Sequence, residues 1–316
     1  MDAKSVAKKY KIPEDVNGTC GLENIQSNKL SFLADLSYLK FVKPGQGLVI
    51  LTSKILYGRI KNIKGNRYVV VENPHHAFIE YHNALHKDYR PFNTGRENPK
   101  AGKGCHIDES ARFGKNVSIG SNVSVYPNVV IGGDVSIGDG TIIYSSVSIY
   151  DNVKIGKGCI IDAGAVIGGE GFSTTYHKEF GAVRLFNVGG VQIGDNVEIG
   201  SNATIDRASF TYTKIMDRAK IDNNVCIGHN CHVGEDTRIA PLSCMGGSCT
   251  VGKRVWIGIG CTLKDHIEVG DDCEVLIGSV LINSIGKGTK VAGYYAMPND
   301  SWRAHIKDVY RDYVIK

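Results

Sequence analysis

Residues 107–136 read IDESAR, FGKNVS, IGSNVS, VYPNVV and IGGDVS, five blocks of six that each open on a large apolar residue. The spacing continues unbroken from Ile107 to Ile167 and runs again from Ile215 to Leu281, while Ile193, Ile199 and Ile205 keep it in a shifted phase between. A period of six matches neither a helix nor simple strand alternation. It suits a short extended segment followed by a turn, with one large side chain turned inward per side. Three such sides close an 18-residue coil, and coils stack about 4.8 Å apart as strands do. The pattern predicts a parallel β-helix of roughly nine or ten coils between residues 103 and 292. Glycines after the apolar position, such as Gly138 and Gly156, and Asn or Asp two places later are expected to serve the turns.

Two stretches break the rhythm. GGEGFSTTYHKEFGAVRLFNVGGVQ (168–192) exceeds a whole number of hexads, and SFTYTK (209–214) resets the phase. Insertions in a solenoid usually gather on its working face. Residues 1–100 carry no hexads. LVILTSK (48–54) and RYVVVENP (67–74) read as strands, and HAFIEYHNALHK (76–87) has helical spacing, so a small α/β domain is expected there. The tail SWRAHIKDVYRDYVI (301–315) reads as a short amphipathic helix. The division expected is 1–100 for an α/β domain, 101–292 for the β-helix with its insertion at 168–192, and 293–316 for the tail. The fold class is mainly β.

Composition narrows the functions. The formal charge is +5 and its basic residues are spread along the chain, which argues against nucleic-acid binding and fits an acidic partner or a phosphate-bearing ligand. No run of 18 apolar residues occurs and the N-terminus has no apolar h-region, so neither a membrane span nor a signal peptide is expected. Nine cysteines occur without a CxxC. Cys105, Cys159, Cys231, Cys249, Cys261 and Cys273 share one phase of the hexad and read as small interior fillers, so no disulfide and no metal site is expected. A reducing cytoplasm follows.

Several stretches carry a family resemblance. IGDNVEIGSNATIDRAS (193–209) resembles an IGDxVEIGxxTTIDRG motif, KIDNNVCIGHN (220–230) resembles KIDNxVQIAHN, SFLADLSYL (31–39) resembles a Phe-x5-Tyr stretch, and PNDSWR (298–303) resembles PNxxWR. In this order, over nearly the whole chain, they resemble the UDP-3-O-acylglucosamine N-acyltransferases of lipid A synthesis, among the left-handed hexapeptide-repeat acyltransferases. Left-handedness is what the resemblance implies; the usual crossover preference is right-handed. The chain departs from the family pattern at Asp35, where Asn is common, and within the insertion, where GFSTTYHKEF and RLFNVGG stand. Its helical extension ends at Lys316.

The resemblance gives residues roles. His229, two places after inward Ile227, projects near a coil corner and alone reads as readily as a solvated turn residue. In the family that histidine is the general base, a task its pKa suits. Gly247, one coil on, matches the backbone N–H that steadies the oxyanion. Asp222 is a candidate to orient the ring. His266 matches a histidine that holds the nucleotide diphosphate, and Phe32 with Tyr38 the pair that sandwiches uracil. Asn230 and His232 read as turn residues, and Val275–Leu281 as part of an acyl groove. The resemblance implies transfer of a hydroxyacyl group from acyl carrier protein to the 2-amine of the UDP-sugar. It also implies a homotrimer with sites between subunits and no resident cofactor beyond the acyl-thioester co-substrate. The alternatives are acyl-CoA-dependent transfer to another nucleotide-linked amino sugar, a metal-dependent β-helix enzyme, for which Asp271 and His232 are poorly placed, and a non-enzymatic scaffold.

Overall fold

The computed structural model describes residues 2–22, 24–92, 95, 97–177, 181–293 and 296–309. Its body is a triangular parallel β-solenoid whose three faces hold nine, ten and nine strands. The first face starts at Lys100–Ala101, the second at His106–Ile107 and the third at Arg112–Phe113. Strands pair in register with those 18 residues away, as Ile119 does with Ile137 and Ile227 with Met245. The hexad positions form one continuous interior column of buried Ile, Val, Leu and Met. Cys159, Cys231, Cys249, Cys261 and Cys273 are buried among them, and all nine cysteines are free. Their thiols are not mere fillers: Cys231 Sγ donates to Gly246 O at 3.2 Å and Cys249 Sγ to Lys264 O at 3.0 Å.

The corners divide their work differently from the sequence expectation. Left-handed backbone falls at the Asn/Asp position, for example Asn116 and Asn122 at φ of 58° and 57°. Asn and Asp tolerate that region because a short polar side chain bonds locally. The glycine two places earlier answers to crowding instead. A Cβ on Gly138 would lie 2.5 Å from the Gly156 carbonyl carbon of the next coil.

Both interruptions leave the solenoid register intact. Lys154 pairs with Gln192, 38 residues on, and Gln192 with Lys214, 22 residues on, so each insertion bulges from one corner while the ladder closes behind it. The larger insertion projects an antiparallel hairpin, Thr174–His177 with Gly181–Arg184; residues 178–180 lie outside the described residues.

The N-terminal domain runs α1 (Ala3–Tyr10), β1 (Leu30–Leu33), a 3-10 turn (Leu36–Phe41), β2 (Val49–Thr52), α2 (Lys54–Ile60), β3 (Arg67–Val70) and α3 (Pro74–Leu85), with β1, β2 and β3 parallel in that order. Helix α3 starts at Pro74 because Asn73 caps it, its Oδ1 accepting the His76 N–H at 3.0 Å, and because Pro at the first position is pre-set for helix. α3 carries Phe78 and Ile79 into a core that takes in Leu185, Val183 and Phe210 from the two insertions. His82 and Asn83 finish the joint, His82 Nε2 lying 2.8 Å from Phe186 O and Asn83 Nδ2 donating to Arg184 O at 2.7 Å. The insertion is thus the wedge that seats the N-terminal domain on the solenoid. The last helix, α4, spans Asn299–Val309; residues 310–316 of the expected tail helix lie outside the described residues. Among the described residues no helix is long and apolar enough to cross a membrane.

Candidate active site

Where the wedge meets the solenoid a cleft of about 450 Å³ opens, lined by Phe32, Asp35, Tyr38 and His75 of the N-terminal domain, Phe172 and Leu185 of the insertion, and His229, Asn230, Ser248 and His266 of the solenoid. Residues more than 200 apart in sequence meet there because the insertion lifts β1 and α3 over the corner that follows the third face.

His229, Gly247 and Asp265 occupy the same place in successive coils, and coil-to-coil bonds fix the spacing: Ser248 N–H donates to His229 O at 2.7 Å and His266 N–H to Gly247 O at 3.0 Å. Gly247 lies directly under the imidazole; a Cβ there would sit 2.6 Å from both Nε2 and Cε1 of His229. Gly171 of the insertion closes on the other end of the side chain, where a Cβ would lie 2.6 Å from the His229 Cβ. Two glycines therefore make the slot in which the ring stands. Burial, helped by the charge of His266 and opposed by that of Asp265, holds the His229 pKa below its ordinary value.

The Gly247 N–H has no acceptor among the described residues. Equivalent amides are capped by the Asp or Asn one coil on, as Ser121 N is by Asp139 Oδ1 at 2.9 Å and Lys253 N by Asp271 Oδ1 at 2.8 Å. At Gly247 the capping place belongs to Asp265, whose carboxylate turns to His266 Nε2 at 3.8 Å. A partly exposed, unpaired N–H beside a histidine is a ready donor for an oxyanion.

His266 takes the left-handed corner, with φ of 59°, and its Nδ1 lies 3.3 Å from the Tyr38 hydroxyl. The Phe32 ring is stacked on His75, centroids 4.9 Å apart at 15°, and tilted against Phe78 at 4.7 Å. Burial, with a smaller effect from neighbouring His76, lowers the pKa of His75. Asp35 accepts the Ser37 N–H at 2.7 Å and caps the 3-10 turn that presents Tyr38; the Ser37 hydroxyl first, and its N–H second, hold the carboxyl below the usual range.

Three expectations are corrected. Asp222 is not brought to His229 within the chain: it is exposed at the preceding corner and accepts the Asn223 N–H at 2.7 Å. Seven residues is one more than a side of the coil, so the two side chains leave from different corners. Asn230 does hold the turn, at φ of 60°, but its side chain also contacts the ring, Nδ2 to Nδ1 at 2.9 Å. Val275 and Leu281 point into the solenoid interior and cannot line a groove, whereas Ile277 and Val280 between them are exposed. His75 escaped the sequence reading because it sits at a helix start, inside no motif.

The comparisons agree with this architecture. A family model described as bacterial transferase hexapeptide (six repeats) matches residues 134–169 and 212–247. The UDP-3-O-acylglucosamine N-acyltransferase of Helicobacter hepaticus is 39% identical over 289 residues, covering 91% of this chain and 87% of that one. The protein of the same name from Coxiella burnetii is 34% identical over 305 residues, covering 92% and 87%. Among solved structures, LpxA from Acinetobacter baumannii aligns with a TM-score of 0.51 at 21% identity over 65% of this chain and 77% of that one. The UDP-N-acetylglucosamine acyltransferase of Francisella novicida aligns at 0.50 with 22% identity over 67% and 78%. The structural likenesses speak for the fold alone. On the sequence relatives, which span nearly the whole length of both chains, the protein belongs to the UDP-3-O-acylglucosamine N-acyltransferase family.

Proposed function

We propose that the protein transfers an acyl group, as an (R)-3-hydroxyacyl thioester of acyl carrier protein, to the 2-amine of UDP-3-O-acylglucosamine in lipid A synthesis. The observation that carries this reading is one cleft that joins aromatic groups suited to a nucleotide base with a histidine standing over an unpaired backbone N–H. The amine attacks the thioester carbonyl carbon, and the new oxyanion takes the Gly247 N–H. His229 accepts the amine proton at the ring nitrogen beside Gly247. Collapse forms the amide and expels the thiolate, which takes the proton from the imidazolium, so the enzyme returns unchanged. Phe32 with Tyr38 is the pair to sandwich uracil, His75 adds stacking surface beside Phe32, and His266 offers a donor to the diphosphate. The acyl donor is a co-substrate, and no step calls on a resident cofactor.

Ile259, Ile277, Val280 and Ile282 are exposed near the C-terminal end of the solenoid, which supports assembly into a homotrimer with these side chains covered. Nine free cysteines fit the cytoplasm, where nucleotide sugars and acyl thioesters meet. Turnover of UDP-3-O-acylglucosamine with hydroxyacyl carrier protein, compared with acyl-CoA, tests the reading. Activity with the carrier is expected; transfer only from acyl-CoA would replace the donor assignment, and transfer only to another amino sugar the acceptor assignment.

A further inference from the structure

Behind His229 runs a buried chain of hydrogen bonds that the sequence motifs did not announce. Asn187 is fully buried and Ser209 nearly so. Asn187 Nδ2 lies 3.1 Å from Gly171 O and 3.3 Å from Glu170 Oε2, and its Oδ1 lies 2.8 Å from Ser209 Oγ and 3.1 Å from Ser173 Oγ. Asn230 Oδ1 accepts the Ser209 N–H at 2.8 Å, while Asn230 Nδ2 lies 3.3 Å from Ser209 Oγ and 2.9 Å from His229 Nδ1.

Two backbone groups fix the direction of every bond in this chain. The Gly171 carbonyl can only accept, so the amide end of Asn187 facing it is the NH2, and its oxygen faces Ser209 and takes that hydroxyl proton. The Ser209 N–H can only donate, so Asn230 gives it oxygen and turns its NH2 toward the imidazole. Nδ1 of His229 is then the acceptor, and the proton of the neutral ring stands on Nε2, over Gly247. In that tautomer the nitrogen facing the cleft donates and cannot take a proton.

We propose that Asn230, held by Ser209 and Asn187, keeps resting His229 protonated on Nε2, and that a half-turn of the Asn230 amide, with the ring giving its Nε2 proton to solvent water and taking one from water on Nδ1, makes Nε2 a base. The half-turn carries the amide oxygen to Nδ1 and deprives the Ser209 N–H of its acceptor. Ser209 and Asn230 both line the cleft, so a ligand that takes the Ser209 N–H releases Asn230. The arrangement has a chemical use: a base idle beside a thioester would activate water, and this one is withheld until the cleft is filled. Asn230 is a positioning residue, since it acts through the ring. The resting tautomer is a property of the chain by itself, whereas the release rests on the acyl-transfer reading.

Long-range proton–nitrogen spectra of protein labelled with 15N-histidine, with His229 identified by its loss in His229→Gln, test the resting state directly. The expected spectrum has an unprotonated Nδ1 in the free protein and a protonated Nδ1 once UDP-3-O-acylglucosamine is bound. A free protein with the proton on Nδ1 overturns the proposal. Asn230→Asp tests the consequence, because one carboxylate oxygen takes the Ser209 N–H and the other accepts from Nδ1. His266 and Asp265 from the solenoid act on His229, Glu170 from the insertion bonds Asn187, and Asp206 with Arg184 faces Glu170; all five are unchanged in that variant. Its carboxylate should move the acidic limb of kcat/KM up by a pH unit or more and raise thioester hydrolysis without acceptor at least tenfold. A folded Asn230→Asp protein with the wild-type limb and wild-type hydrolysis contradicts the proposal, and if the variant does not fold the wild-type spectrum decides. Inactivity of the wild type toward the sugar would sink the acceptor assignment while leaving the resting spectrum to stand or fall alone.

Discussion

Gly247 sets the tolerance of the site. Any side chain there meets the imidazole at 2.6 Å, so Gly247→Ala must push His229 out of its slot or shift a coil that is bonded on both sides. Kinetics should show kcat lowered on the order of 10²-fold, as for a lost oxyanion donor, with KM for the sugar little changed. An unaltered kcat would mean the ring is not used in its present place. Burial lowers the His229 pKa, so the neutral ring persists below the ordinary histidine value of about 6.5, and the acidic limb of kcat/KM should have its midpoint below that pH. Tyr38→Phe removes the hydroxyl 3.3 Å from His266 and should raise KM for the nucleotide sugar by about tenfold at constant kcat. His229, Phe32 and Tyr38 were legible because each stands in a motif, and His266 because the resemblance matches it. Gly247 was legible because 18 residues is one coil. Asn187 and Ser209 were not, since both lie in or beside insertions where no period says which residues face one another.

Among the elements, the coil corner shows how much a repeat leaves to local chemistry. Most left-handed corner positions are Asn, Asp, Ser or Gly, yet Leu242 sits at φ of 61° and is largely exposed. A branched aliphatic residue is strained there, so Leu242→Asn should raise the unfolding free energy by about 1 kcal/mol, read from the denaturant midpoint. No gain would mean that the exposed leucine is covered by another surface. The hexad announced the solenoid plainly, since an inward residue every sixth place has few other readings. It could not say that the recurring glycine serves stacking while the polar residue two places on takes the left-handed turn. In the N-terminal domain β2, β3 and α3 were readable from apolar runs and spacing. Helix α1, β1 and α2 were not, being four to eight residues long with their apolar sides completed by distant partners.

At the level of the whole molecule, function depends on the wedge that joins two unlike parts. His82 sits in that joint, fully buried between Thr19 Oγ1 at 2.7 Å and Phe186 O at 2.8 Å, and burial with the charge of His86 pushes its pKa down to about 4. The unfolded chain binds this proton near pH 6.5, the folded chain only near pH 4, so its contribution is complete above 6.5 and is lost as pH falls through that window. By pH 5 the loss is on the order of 2 kcal/mol. Denaturant titrations at pH 7 and pH 5 should show wild type losing more stability than His82→Gln, and equal losses would place the pH dependence elsewhere. Since the cleft exists only while the joint holds, nucleotide affinity should fall over the same range. The most direct test of the account is acyl transfer to UDP-3-O-acylglucosamine by purified wild-type protein and by His229→Ala, with hydroxyacyl carrier protein as donor. The account predicts wild-type turnover and a loss on the order of 10²–10⁴-fold in the variant with the fold unchanged. Equal turnover by the two would leave His229 a turn residue and put the chemistry somewhere other than this cleft.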